Sequence, residues 1–151
     1  MLRSDILISL PVDKFVDYDN ALGIDLDKVA ADVAVFNVPF KCQVVQAALL
    51  ITETCAGTTP GVVAMDHRPT AGSDASRGVA DIANFAMGTT VAGKHLYDLV
   101  AVGTVLEPGE QVVVEIVTQP VTGPAGHFHP ILLVQQMPET QANLSNTVVT
   151  A

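Results

Sequence analysis

Gln43-Val44-Val45-Gln46-Ala47-Ala48-Leu49-Leu50-Ile51-Thr52-Glu53-Thr54-Cys55 is the longest strand candidate in the chain. In extended backbone successive side chains point to opposite faces, so Val45, Ala47, Leu49 and Ile51 share one face. Gln46, Ala48, Leu50, Thr52 and Thr54 share the other, which is more polar at both ends. That alternation is the signature of a half-buried strand.

Strand texture continues on both sides. Val35 to Val38 is a short apolar run ended by Pro39, and the turn Gly57 to Gly61 leads into an expected partner strand, Gly61 to Asp66. His67 to Gly78 reads as a polar loop, Val79 to Met87 and Lys94 to Val102 as strands, the former with Val79, Asp81, Ala83 and Phe85 on one face. Glu107-Pro108-Gly109-Glu110 is the clearest turn: Pro108 presets φ and Gly109 accepts the positive φ of type II. It feeds a strand at Gln111 to Thr118. Pro120, Gly123, Pro124 and Gly126 form a further loop before a strand at His129 to Gln136, where Pro130 suggests an edge or loop end. Short strands with turn signals about every ten residues point to an all-β fold, a sandwich or closed barrel. Strand order stays open between jelly-roll and immunoglobulin-like.

Residues 1–34 differ in texture. They carry seven of the 16 acidic residues, and Leu22, Leu26, Val29 and Val33 recur at helical spacing, with Asp25 and Asp27 suited to the start of a helix. The expected organisation is therefore an acidic, extended or partly helical N-terminal arm (1–34), a β-sandwich body (35–137) and a C-terminal tail or final strand (138–151).

The formal net charge is −9, with no cluster of Lys and Arg. Such a surface repels phosphate backbones and anionic lipid, so neither nucleic acid nor a membrane is an expected partner. No apolar run is long enough to span a bilayer. Cys42 and Cys55 are 13 positions apart; on one unbroken strand they face opposite ways, and the plain reading is two buried small hydrophobes.

The chemistry-bearing motifs are sparse. His127-Phe128-His129 places two imidazoles on one strand face, as in cupin metal sites, but the carboxylate that follows in cupins is replaced by Pro130-Ile131-Leu132-Leu133-Val134. Asp17 to Gly23 fails the ligand spacing of a calcium loop, since Ala21 and Leu22 stand where an oxygen ligand and glycine are required. There is no Gly-x-Ser-x-Gly elbow and no phosphate-cradling glycine motif. Metal, cofactor and catalytic residues are accordingly expected to be none. Asp17, Asp19, Arg68, Arg77, His127 and His129 are the candidate subunit or partner contacts.

Ala47 to Thr54 and Thr58 to Asp66, together with Thr89-Thr90-Val91-Ala92-Gly93-Lys94, Leu106 to Glu115 and Gly126 to Val134, resemble small virion proteins of tailed bacteriophages. The resemblance spans roughly residues 36 to 136, carried by turns and strands. It implies a head decoration, or cement, protein: a non-enzymatic sandwich or jelly-roll, commonly a trimer, made in the host cytoplasm. Such a protein binds the major capsid protein on the outer capsid surface and stiffens the shell. The N-terminal segment is longer and more acidic than this resemblance leads one to expect. A cupin-like metal enzyme using His127 and His129, or a carbohydrate-binding or fibre-associated β module, is the alternative.

Overall fold

The computed structural model describes residues 7–15, 18–19, 22–27, 32–68, 81–98 and 103–138. Within them the elements are β1 (Leu7–Ser9), β2 (Lys14–Phe15), β3 (Tyr18–Asp19), β4 (Gly23–Asp25), β5 (Asp32–Asn37) and β6 (Cys42–Ala56), then β7 (Val62–Arg68), β8 (Asp81–Ala86), β9 (His95–Asp98), β10 (Val105–Leu106), β11 (Gln111–Thr118) and β12 (Ala125–Gln136). All the pairings are antiparallel and fall into two sheets. Sheet A runs β10-β6-β12-β4-β3, with β9 also on β6 and β1 also on β12; sheet B runs β2-β5-β11-β7-β8.

From β4 onward the chain crosses between sheets at every connection except β7 to β8 and the short step from β9 to β10. The path β4-β12-β6-β9 thereby faces β5-β11-β7-β8, and this order is that of a jelly roll. The interior is apolar. Phe36, Val112, Val114, Met65, Val63 and Ile116 from sheet B meet Leu49, Ile51, Phe128, Leu132 and Val134 from sheet A, all at 1% exposure or less.

β6 is longer than its expected bounds by one residue at each end, and it is not regular. Its register against β12 shifts at three points, where Gln46 gives way to Val44, Ile51 to Glu53, and Glu53 to Ala56. Each shift inserts one residue into β6 and turns the following side chains over. Three insertions in 13 positions put Cys42 and Cys55 on the same, inner face, both buried and both free thiols. The same bulges divide the inner face between Val44 on one parity and Ala47, Leu49 and Ile51 on the other.

Several expectations are corrected. The strand after the Gly57–Gly61 turn does not pair with β6: β7 lies in the opposite sheet, between β11 and β8. Pro130 is in the middle of β12, not at its start. There Leu132 offers its carbonyl to the Leu10 N–H, so residues 132 and 130 turn their backbone polar groups away from β6. That flank is covered by β4 at 127 and 128 and by β1 at 133 to 135. The missing N–H of Pro130 falls in the gap between them.

The helical reading of Leu22 to Val33 is also overturned among the described residues, where no helix occurs. Ile24 and Leu26 are fully buried, the Leu26 N–H donates to the Gly126 carbonyl at 2.9 Å, and the Asp25 carboxylate accepts the Asp27 N–H in a tight turn. Pairing against β12 satisfies more backbone than an isolated three-turn helix can; Val29 lies outside the described residues. The described strands of the first 34 residues belong to the two sheets: β1 and β4 flank β12, and β2 pairs β5. The expected type II turn is present, with Gly109 at φ 88° and the Glu110 N–H donating to the Glu107 carbonyl.

Candidate functional site: the outer face of sheet A

Residues directly opposite in an antiparallel pair share a face, so the register lays out the solvent side of sheet A in rows. Phe128, Leu132 and Val134 point into the core, which sends His127, His129, Ile131 and Leu133 outward. His95, Leu50 and His129 form one row across β9, β6 and β12; Tyr97, Ala48 and Ile131 form the next. Gln46, Leu133 and Ser9 form a third across β6, β12 and β1. Leu7 and Val105 extend the field at its far end, opposite Gln135 and Gln43.

The face is apolar for a solvent-facing sheet. Ala48 is fully buried although it lies outside the core, and Leu50, Ile131 and Leu133 are half-buried. Of the six large hydrophobic residues with high exposure among the described residues, three sit here: Leu7 at 53%, Tyr97 at 55% and Val105 at 39%. The His95 and Tyr97 rings stack, with centroids 5.7 Å apart and planes 12° from parallel. Among the described residues these rows contain no Asp, Glu, Lys or Arg.

A polar end row closes the field. Asp25, His127 and Glu53 lie opposite one another across β4, β12 and β6, and His127 Nδ1 donates to Glu53 Oε2 at 2.5 Å. The His129 ring lies over Gly23, with Cε1 3.0 Å from where a Cβ there would stand. The hydroxyls beside this dyad are engaged: Thr52 donates to the Leu22 carbonyl, and Thr54 accepts the Ala92 N–H. Burial raises both cysteine thiols, Cys42 to about 11 with help from Glu107 and Glu110, and Cys55 with help from Glu53. Neither is the thiolate that nucleophilic chemistry requires. Among the described residues no group of three or more His, Cys, Asp and Glu is placed to hold a metal ion.

The structure separates the candidate contact residues. His127 and His129 share the outer face of sheet A, and Asp19 lies in β3 opposite Gly23. Arg68 is on the other sheet, where it reaches across β11 to Asp32 at 3.0 Å, beside a groove of about 220 Å³ lined also by Asn37 and Gln111. Asp17 and Arg77 lie outside the described residues. Sequence reasoning missed Glu53, Leu50, His95 and Tyr97. The spacing of His95 and Tyr97 two apart in a strand could have flagged the last two; the other two depend on cross-strand register. Comparison of the chain with protein-family models, curated proteins and solved structures returns no match.

Proposed function

We propose that this protein is a non-enzymatic virion component that binds the major capsid protein on the outer surface of a capsid and stabilises the shell as a homo-oligomer. The observation that carries the reading, and its homo-oligomer first, is the outer face of sheet A: a partly apolar field whose described rows hold no charged residue, on a chain of net charge −9. Contiguous exposed apolar area on a folded domain marks a protein contact. The reading draws its partner from the resemblance of the 36 to 136 region to decoration proteins. It is further supported by an interior filled with apolar side chains, and by the engaged hydroxyls and the raised Cys55 thiol near the His127–Glu53 dyad.

The test is addition of the purified full chain to capsids assembled without it. Saturable co-sedimentation, with capsids that then resist heating better, is the expected result. Absence of binding at micromolar protein would refute the capsid role.

A further inference from the structure

We infer that the outer face of sheet A, whose described rows hold no charged residue, is covered by a second copy of this chain, so that Leu50, Ala48, Ile131 and Tyr97 form the centre of a symmetric homo-oligomeric contact. The inference rests on the proposed function and gives its oligomer a definite surface.

The occupant follows from where the charge lies. Two chains of net charge −9 repel at every surface where carboxylates meet, and like charges brought face to face oppose association. The outer face of sheet B carries Asp32, paired to Arg68, and Glu115, with Asp66 buried beside them, so two copies joined there would oppose acid to acid. On sheet A the described rows from Gln46 to Leu50, and from His129 to Gln135, hold no carboxylate. Glu53 and Asp25 stand at one end of that field beside His127, and Asp98, next to Tyr97 in β9, accepts the Asn84 N–H. This face lets the chain meet itself while keeping its acidic residues in solvent. It also gathers Leu7, Tyr97 and Val105, three of the six prominently exposed large hydrophobics among the described residues. An identical patch on each partner is what a closed two-fold contact requires, and closure stops open-ended growth.

Native mass spectrometry and sedimentation velocity on the full chain test this, with three variants. Tyr97→Glu and Leu50→Glu put a carboxylate into the field; Val117→Glu puts one at an exposed valine of β11, on the other sheet. Tyr97 is more than half exposed on the short strand β9, so its replacement leaves the core intact, and circular dichroism checks this. The expected result is a closed oligomer whose dissociation constant rises at least about tenfold in Tyr97→Glu and Leu50→Glu and is unchanged in Val117→Glu. Added salt should tighten the wild-type contact by screening the net charge, whereas a contact made of ion pairs would loosen. A wild-type monomer at high micromolar concentration overturns the inference, as does an oligomer that survives both sheet A variants. Capsid binding is scored separately: an oligomer that assembles through this face but leaves capsids bare keeps the inference and removes the capsid role.

Discussion

Gly23 holds a φ of +93°, and a Cβ added there would stand 2.5 Å from the Phe128 carbonyl oxygen. Both the backbone region and the space exclude an L side chain, because the obstacle is main chain that β4–β12 pairing fixes. Gly23→Ala is expected to destabilise the fold by about 2 to 4 kcal/mol in urea denaturation. Cys42 gives a second prediction at this scale. Its thiol is raised from 9.0 to about 11, so the folded state holds the proton more tightly than the unfolded chain. That contribution is fully present below pH 9.0 and is lost as pH rises toward 11, on the order of 2 to 3 kcal/mol in all. Stability should therefore fall across this window, and the fall should be shallower in Cys42→Ala, whose lower baseline reflects the cavity. Below the window, thiol reagents should leave both cysteines of the folded protein unmodified until denaturant is added.

At the scale of elements, the first strands are structural parts of the sandwich. Ile24, Leu26, Val33 and Ala34 are all in the core, and β4 and β1 cover the flank of β12. A chain lacking residues 1–34 should therefore fail to fold, giving a broadened amide spectrum and binding of hydrophobic dyes; a cooperative melt like that of the full chain would contradict this. The single change Leu26→Ala is expected to cost about 2 to 5 kcal/mol, since the side chain is fully buried. The sequence signals worked where local chemistry dominates. β11 has the bounds that its valine alternation and the Pro108-Gly109 turn imply, and the all-β class follows from the same texture. They failed where distant pairing decides. The leucine and valine spacing at 22 to 33 is helical only until β12, about a hundred residues later, offers Ile24 and Leu26 a buried strand environment. The three bulges of β6 leave no local mark, so neither the shared face of the cysteines nor the meeting of Glu53 with His127 was legible. The apolar face of sheet A was visible only as Ala48 and Leu50 on the more polar side of β6, because its rows require the register.

For the whole molecule, nearly all the order is non-local: β4 pairs β12, β5 pairs β11, and β6 runs beside β12 along almost its full length. Closing such loops precedes the contacts that reward them, which places refolding in the range of about milliseconds to seconds rather than microseconds. Stopped-flow fluorescence or circular dichroism after dilution from urea measures it directly.

β12 is the last described strand and the centre of sheet A, touching β6, β4 and β1. During synthesis, the other strands of sheet A all emerge before the strand that joins them. The Phe128, Leu132 and Val134 side chains that fill the middle of the sandwich arrive after all the surfaces they cover. A nascent chain stalled just before Ala125 should therefore be cut readily by protease along its length and be a target for chaperones that hold exposed strands. One stalled after Gln136 has cleared the tunnel should become resistant in a single step. The valine-rich strands of this protein would then share one vulnerable interval, lasting as long as translation takes to deliver β12.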